Sequence, residues 1–166
     1  MPKNNSLDLL TIGDVCIDLY MKVEESEVSE DQDPDRPKIC FYHGSKIPVK
    51  SEMSNIAGNA VNVSMATTKL GLKTAIYAET GDDEEAERII KELNEAGVLT
   101  DYVHKNENSQ TGVNPVIVFK GERTIFSHHE VRPYQMRGWP KPKWIYYTSV
   151  NPGFKSFQKD LVEYLK

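Results

Sequence analysis

Small residues and two asparagines mark the start of a predicted helix in "NIAGNAVNVSMATTKLG", residues 55–71. Gly58 lets backbone approach a ligand closely, and the first turn of a helix offers unpaired N–H groups with partial positive charge. Asn59 and Asn62 share one side of that turn, and each side chain carries a donor and an acceptor. The pair therefore suits the vicinal hydroxyls of a ligand. The alternative is that the small residues let the helix start pack closely on a strand, and that asparagine only caps the helix.

Three other polar side chains are candidates for binding a ligand or a metal ion. Arg132 could bind a carboxylate or phosphate group of a substrate as a rigid fork, and a surface arginine is the equal alternative. His128 and His129 suggest a metal, but adjacent residues on a strand point to opposite faces. We therefore expect no metal site at this histidine pair.

A strand and a helix must position the glycine and the asparagines. Residues 7–15 are typical of a buried parallel strand that ends at Gly13, and open α/β sheets keep their sites at such strand ends. A helix is predicted from Gly58 to a stop at Gly71. Its stripe at helical spacing comprises Ala60, Val63, Ala66, Thr67 and Leu70.

The next stretch repeats this order of elements. Residues 73–79 predict a strand, and a helix follows with Asp82 as its N-cap and Glu85 three residues later. Right-handed crossovers between such units predict a doubly wound, mainly parallel α/β sheet. The apolar face of this second helix comprises Ala86, Ile89, Ile90, Leu93 and Ala96.

Residues 16–50 predict a small β lid that projects from the main sheet. Within it, residues 24–38 are acidic and contain two prolines, which predicts an exposed loop, and residues 39–50 give two short strand-like pieces. Later in the chain, the segments 114–119 and 123–128 predict a β-hairpin.

The end of the chain predicts another strand and a last helix. Residues 144–150 are typical of a buried strand. The helix after it has an apolar stripe that comprises Phe154, Phe157, Leu161 and Leu165. No stop signal follows this stripe, so we expect the sequence to be interrupted here rather than complete.

The composition limits which classes of protein are possible. The 166 residues suit one domain, residues 1–166, and a hydrophobic share of 39% is typical of a soluble protein. A net charge of −5 without basic clusters argues against nucleic acid. Cys16 and Cys40 are too far apart for a C-x-x-C pair, and no apolar run could span a membrane. We therefore expect a cytoplasmic protein.

The pattern around the first helix resembles the first signature of the ribokinase-like (PfkB) carbohydrate kinases. The signature is "AGNAVNVS", residues 57–64, followed at the family's spacing by Gly71 and Gly81. In addition, "LLTIGDVCIDLY", residues 9–20, looks like the family's opening strand, and "QTGVNPVIVFKGERTI", residues 110–125, looks like a later strand pair. The resemblance spans nearly the whole chain and implies a ribokinase-like fold with a β lid.

The resemblance also implies an activity and a set of substrate contacts. The family transfers the γ-phosphate of ATP, with Mg²⁺, to a sugar or nucleoside hydroxyl. Asp18 falls on the family's substrate-binding aspartate, and Asp14 is a second candidate. Gly58, Asn59 and Asn62 fall on the substrate loop and the start of the following helix.

Three positions depart from the family's pattern. Ala57 replaces a frequent glycine, and Asn59 stands where some members have lysine. Cys16 stands where ribokinases proper carry asparagine, so ribose itself is not favoured. Fructose, a phosphosugar, a ketodeoxy acid and a nucleoside all stay open as substrates.

The part of the family's site that handles ATP is missing from this sequence. The family has its anion hole and catalytic base in a Gly-Ala-Gly-Asp stretch of the C-terminal half, and no such stretch or Walker motif occurs here. We therefore expect no catalytic residue, bound cofactor or metal ligand in this chain. The hypothesis is the substrate-binding half of a sugar kinase, inactive alone, whose full-length form uses ATP and Mg²⁺.

Alternatives from other classes remain. One is a nucleoside kinase of the same family, and another is a non-catalytic sugar- or nucleoside-binding module. A third is a homodimer formed through the lid, for which an unpaired strand edge within residues 39–50 would be the contact. An oxidoreductase that binds a dinucleotide is disfavoured because no G-x-G-x-x-G follows the first strand.

Overall fold

A computed structural model describes residues 6–31, 33, 35–150, 152 and 154–166. The predicted acidic loop 24–38 therefore lies partly outside the described residues. The chain divides into two compact units. The first comprises residues 1–17, 56–112 and 128–166, and the second comprises residues 18–55 and 113–127. In chain order the elements are β1 (Leu9–Ile12), β2 (Cys16–Val23), β3 (Ser29–Asp31), β4 (Lys38–Cys40), β5 (Val49–Ala57), α1 (Asn59–Lys69), β6 (Thr74–Gly81), α2 (Glu84–Glu95), β7 (Leu99–Asn106), β8 (Gly112–Phe119), β9 (Glu122–Ile125), β10 (Trp144–Tyr147) and α3 (Lys155–Leu165).

The first unit is built on a parallel sheet with the strand order β10-β1-β6-β7. Strand β1 pairs in parallel with β10 and β6, and β6 pairs in parallel with β7. Leu10 lies opposite both Ile145 of β10 and Ala75 of β6. The predicted mainly parallel α/β sheet is therefore confirmed. No helix among the described residues is both long and apolar enough to cross a membrane.

Alternate residues of β6 belong to two separate cores on opposite faces of this sheet. Tyr77 packs in a first core with Phe157 and Leu161 of α3. Ile76 packs in a second core with residues of α1 and α2. Because side chains alternate along a strand, α3 covers one face of the sheet while α1 and α2 cover the other.

Helix α1 has the predicted ends but a different buried face. Gly58, at φ +119°, is the N-cap residue. Gly71 adopts φ +90° just after the helix, and Leu72 N–H donates to Thr67 O as in a Schellman motif. The helix buries Ala60, Val61 and Ser64. The predicted stripe is wrong at Ala66 and Leu70, which are exposed.

Helix α2 begins one residue later than the predicted capping box requires. Asp83, rather than Asp82, is the N-cap, and its carboxylate accepts a 2.9 Å bond from Ala86 N. The same carboxylate also accepts bonds from Thr111 N and Thr111 Oγ1, at 2.6 and 2.7 Å. A contact from a distant loop therefore decides between two adjacent aspartates.

Strand β7 was not predicted from the sequence. Its residues, LTDYVHKN, alternate imperfectly, and the strand carries Asp101 and Lys105. It forms because its backbone pairs in parallel with β6 at the sheet's edge. Pairing with a buried neighbouring strand thus outweighs the weak local propensity of this segment.

The second unit contains a sheet with the strand order β5-β2-β8-β9 and a two-stranded β3-β4 sheet. The predicted hairpin is confirmed, since Phe119 of β8 pairs antiparallel with Glu122 of β9. It belongs to the same unit as residues 18–55, which the sequence did not indicate. The acidic stretch is not one plain loop, because Ser29 pairs with Cys40 in the β3-β4 sheet.

An irregular segment, residues 126–143, packs on the first core through buried polar bonds. Tyr77 Oη accepts a 2.9 Å hydrogen bond from Gln135 N and donates a 2.6 Å bond to Glu79 Oε1. Glu79 is buried and also accepts a 2.9 Å bond from Asn106 Nδ2, with Arg137 Nη2 at 3.7 Å. These bonds hold the segment that carries Tyr134.

Candidate functional site

The carboxyl ends of β1 and β10 form the point where the winding of the parallel sheet reverses. After β1 the chain runs through strands β2 to β5 and then enters α1, which lies on one face of the parallel sheet. After β10 it enters α3, which lies on the opposite face. Ligands of open α/β sheets bind in the crevice at such a point. Gly13 and Asp14 follow β1, and Ser149 follows β10, so these residues line the candidate site.

Three backbone segments meet here without room for side chains. A Cβ atom on Gly58 would lie 2.3 Å from the carbonyl oxygen of Asp14, and one on Gly13 would lie 2.7 Å from Thr148 Cγ2. Asp14 N–H donates a 2.7 Å hydrogen bond to Ser149 O. The loop after β1, the loop after β10 and the start of α1 therefore pack directly on one another.

The two carboxylate oxygens of Asp14 have different surroundings. Tyr134 Oη donates a short hydrogen bond to Oδ1. Oδ2 is buried and accepts no hydrogen bond from the described residues, while His129 Nδ1 lies 3.4 Å from it. A buried carboxylate oxygen without a donor favours a hydroxyl-bearing ligand, because leaving it unpaired costs free energy.

Burial and the neighbouring carboxylate also determine the protonation of Tyr134. Burial of the phenol, followed by the charge of Asp14, raises the pKa of Tyr134 well above its ordinary value of 10.0. The phenol therefore stays protonated at physiological pH. It acts as a permanent hydrogen-bond donor to Asp14 rather than as a base.

The two asparagines lie at the start of α1, as predicted. Asn59 is exposed, and its Nδ2 donates a 3.1 Å hydrogen bond to Ser149 Oγ. Asn62 is also exposed, and its backbone N–H makes a 3.0 Å bond to Gly58 O. No side chain in the described part of the sequence caps the helix, so the first-turn N–H groups offer donors beside Asp14. Gly58, Asn59 and Asp14 are thus brought together in the first unit.

Asp18 belongs to the second unit, in β2. Its Oδ1 accepts a 3.0 Å hydrogen bond from Nδ2 of Asn114, a buried residue of β8. Tyr20 Oη donates to its other oxygen at 3.4 Å. The carboxylate is therefore oriented by an amide that the sequence analysis did not identify as functional.

Arg132 is buried, with an exposed fraction of 7%, so the surface alternative is wrong. Its Nε donates a 3.0 Å hydrogen bond to Ser109 Oγ, and its Nη2 donates to Gln110 O. These bonds tie the arginine to the loop before Thr111. The described contacts of Arg132 thus stabilise that loop and do not involve Asp14 or the asparagines.

The histidine pair does not lie on a strand, so the expectation that the two side chains point to opposite faces of a strand is wrong. Strand β9 ends at Ile125, and both histidines follow in irregular backbone. His128 Nε2 lies 3.0 Å from Glu130 Oε1, while His129 lies against Asp14. Among the described residues no group of three or more His, Cys, Asp or Glu side chains could hold a metal ion.

Four side chains at or near the predicted contacts were not predicted from the sequence: His129 as a neighbour of Asp14, together with Asn114, Tyr134 and Ser149. Ser149 follows a predicted strand and could have been found from its position at the carboxyl end. Tyr134 lies in an irregular segment that carries no periodic signal.

Comparisons with known proteins identify the family of this chain. A family profile described as "pfkB family carbohydrate kinase" matches residues 6–132. Bifunctional protein HldE of Pseudomonas savastanoi pv. phaseolicola is 32% identical over 101 residues, which cover 60% of this chain and 19% of that protein. The chain thus spans about a fifth of the length of this curated relative.

Solved structures share the fold. The structure of Arabidopsis thaliana ribokinase complexed with ribose and ATP matches 74% of this chain and 36% of its own, with 22% identity and a TM-score of 0.60. Ribokinase from Cryptococcus neoformans var. grubii, in complex with ADP, matches with 22% identity and a TM-score of 0.56, over 74% of this chain and 34% of its own. In both cases about two thirds of the solved chain lies outside the match.

Proposed function

The chain belongs to the pfkB family of carbohydrate kinases, and from this premise we propose that it is the substrate-binding N-terminal part of a sugar kinase. The full-length enzyme would transfer the γ-phosphate of ATP to a sugar hydroxyl. One observation carries the proposal: Asp14 Oδ2 is buried and accepts no hydrogen bond from the described residues, with His129 Nδ1 3.4 Å away, beside the start of α1.

The residues of this chain would bind and orient the sugar. A carboxylate accepts hydrogen bonds from hydroxyl groups, so Asp14 of the first unit would hold a sugar hydroxyl. Asp18 is a separate candidate in the second unit. Asn59 and Asn62 would add amide donors and acceptors at the helix start. Arg132 is a weaker candidate because it donates hydrogen bonds to Ser109 and Gln110 in the loop before Thr111.

ATP and Mg²⁺ are assigned to the remainder of the full-length kinase. The described residues contain no cluster of carboxylate, imidazole or thiolate groups that fits a metal ion. The chain also lacks the glycine-rich Gly-Ala-Gly-Asp stretch. No step of phosphoryl transfer is therefore assigned to a residue of this chain, which we expect to be inactive alone and to reside in the cytoplasm.

Ligand-observed saturation-transfer NMR on the purified chain tests the proposal. The probes are D-fructose, D-ribose, fructose 6-phosphate and adenosine. We expect transfer to at least one probe, with loss of the signal in Asn62→Ala and Asp14→Asn. Asp101→Asn, which changes an exposed acid of β7, is the matched control and should bind as the unaltered chain does.

Two outcomes would contradict the proposal. If no probe receives saturation, the chain does not bind these sugars or the nucleoside. If the adenosine signal alone depends on Asp14, the nucleoside kinase is the better assignment. ATP-dependent phosphorylation by residues 1–166 alone would contradict the expected inactivity.

We propose a homodimer through the lid as a second, compatible property. Strand β5 lies at the edge of its sheet, and its Val49 and Met53 are exposed apolar side chains. An exposed strand edge is a template for pairing with another chain. Light scattering at several concentrations tests this, and we expect Met53→Lys to shift the equilibrium towards monomer.

A further inference from the structure

His129 lies against a buried carboxylate oxygen of the candidate site. Its Nδ1 is 3.4 Å from Asp14 Oδ2. This oxygen is buried and accepts no hydrogen bond from the described residues. The side chain of His129 has an exposed fraction of 50%, against 18% for that of Asp14. The imidazole therefore covers the oxygen on the side of the solvent.

Other neighbours of this carboxylate are fixed in the first core. Tyr134, which donates to Oδ1, is 5% exposed and packs edge-on against Tyr77. Tyr147 of β10 also lies close, because the charge of Asp14 contributes, after burial, to the raised pKa of its phenol. Its ring stacks on that of Phe157, with centroids 6.3 Å apart. Neither tyrosine can leave the carboxylate without exposing core surface to water.

His129 is not held in this way. It belongs to residues 128–131 of the first unit, which form neither helix nor strand. None of the described residues forms a backbone–backbone hydrogen bond with this segment. Val131 is 71% exposed, and the next residue, Arg132, is buried and bonded to the loop before Thr111. The side chain of His129 can therefore turn away without disturbing the core or the sheet.

A ligand hydroxyl would make a stronger contact with Asp14 than His129 does. The separation of Nδ1 and Oδ2, 3.4 Å, exceeds the usual N–H···O hydrogen-bond length of about 2.7–3.2 Å. A hydroxyl that donates to a carboxylate forms a charge-assisted bond of about 2.5–2.7 Å. Exchange of the imidazole for a hydroxyl would therefore give this buried oxygen a donor at normal hydrogen-bond length.

A hydroxyl cannot reach Oδ2 while His129 keeps its observed position. A hydroxyl that bridged Nδ1 and Oδ2 with two hydrogen bonds would need roughly 4.5 Å between these atoms. They are 3.4 Å apart. The imidazole must therefore move whether the ligand replaces it or binds between it and Asp14.

We propose that His129 gates the candidate sugar site: its imidazole covers Asp14 Oδ2 and must turn away before a sugar hydroxyl can bind to this oxygen. The measured affinity is then reduced by the fraction of chains in which the oxygen is covered. His129 therefore weakens sugar binding rather than strengthening it. The inference rests on the proposed function only in taking a sugar as the ligand of Asp14.

Access to Asp14 is measured first, without a sugar. A water-soluble carbodiimide with glycine ethyl ester converts accessible carboxyl groups to amides, and tandem mass spectrometry gives the rate at Asp14. We expect this rate to be about threefold higher in His129→Ala, because a half-exposed contact of this kind is weak. Asp101, an exposed acid of β7, is the internal reference and should react equally in both chains.

The matched control is His128→Ala, which removes the adjacent imidazole. His128 Nε2 lies 3.0 Å from Glu130 Oε1, so its loss should leave the labelling rate of Asp14 unchanged. Urea midpoints of both histidine variants should match that of the unaltered chain. Matching midpoints would exclude a loosened fold as the cause of faster labelling.

The effect on binding is measured next, with D-fructose, D-ribose, fructose 6-phosphate and adenosine as probes. We expect His129→Ala to bind the preferred probe about threefold more tightly than the unaltered chain does. His128→Ala should bind as the unaltered chain does. A gain in affinity separates gating from a structural role and from direct contact with the sugar, because loss of either of these would weaken binding or leave it unchanged.

Three outcomes would overturn the inference: an unchanged labelling rate of Asp14 in His129→Ala, faster labelling without tighter binding, or weaker binding by this variant. The last would make His129 a sugar contact. If no probe binds to any variant, the proposed function fails, and the labelling rate alone decides whether His129 covers Asp14. A chain that binds a sugar equally well with and without His129 overturns only the gate.

Discussion

Tyr134 donates a hydrogen bond to the carboxylate of Asp14 from 120 residues further along the chain. The tyrosine ring packs edge-on against Tyr77 and lies tilted against Phe157, with ring centroids 5.7 and 5.6 Å apart. The bond therefore connects the loop after β1 to the first core. It fixes one oxygen of Asp14, while Oδ2 accepts no hydrogen bond from the described residues.

Tyr134→Phe should remove this bond and keep the ring contacts. Because a buried carboxylate oxygen then loses a donor, we expect the free energy of unfolding to fall by about 1 to 3 kcal/mol. Urea denaturation measures the change. Tyr42→Phe, at an exposed tyrosine, is the control and should be neutral. Equal stability of Tyr134→Phe and the unaltered chain would argue that the bond is unimportant.

Stability should decrease at alkaline pH. Burial, and then its bond to Glu79, raises the pKa of Tyr77, and burial, then Asp14, raises the pKa of Tyr134. In the folded chain these two tyrosines therefore keep protons that they release in the unfolded chain near the ordinary tyrosine pKa of 10.0. The stabilisation is complete below about pH 10 and is lost as the pH rises above it.

Urea midpoints between pH 8 and pH 11 measure this dependence. The variant with both Tyr77→Phe and Tyr134→Phe should show a flatter profile above about pH 10, because neither buried group can then lose a proton. An unchanged slope in that variant would assign the alkaline loss to other groups.

Gly58→Ala should damage both the start of α1 and the loop after β1. Its φ of +119° is strained for any residue with a side chain, at a cost of about 1 to 3 kcal/mol, and its Cβ would collide with Asp14 O. Gly71→Ala is the control, since φ there is +90° but nothing lies near the added atom. We expect Gly58→Ala to lower the free energy of unfolding more than Gly71→Ala does. Only Gly58→Ala should also abolish sugar binding.

Asp83→Ala should destabilise α2 and the loop at Thr111 together. The carboxylate caps Ala86 N and accepts two bonds from Thr111, so we expect a loss of about 1 to 2 kcal/mol at neutral pH. Asp82→Ala is the matched control, because Asp82 is exposed and does not cap the helix. A larger effect at Asp82 would contradict the observed cap.

The contribution of Asp83 should also depend on pH. Burial acts to raise its pKa, but bonds from Thr111 and Ala86, with the charge of Arg132, lower it below 3.8 overall. The stabilisation is therefore present above about pH 4 and is lost as the pH falls through the lower folded-state pKa. The difference in urea midpoint between Asp83→Asn and the unaltered chain should shrink below about pH 4.

The sequence by itself determined the features that depend only on residues close together in the chain. Gly71 ended helix α1 as expected, because a left-handed residue after a helix is a local requirement that glycine meets at no steric cost. The signature around Gly58, Asn59 and Asn62 indicated the family for the same reason, since its spacing is contiguous in the chain. Short apolar runs likewise indicated the central parallel strands, and helical spacing indicated the helices.

Tertiary structure alone decided the contacts between segments far apart in the chain. Tyr134 reaches Asp14 because residues 126–143 are held on the first core, and Thr111 selects Asp83 over Asp82 as a cap. Strand β7 exists through pairing with β6 despite its weak local pattern. Each of these outcomes depends on burial and on partners supplied by distant residues, and such free energies are not encoded in local propensity or spacing.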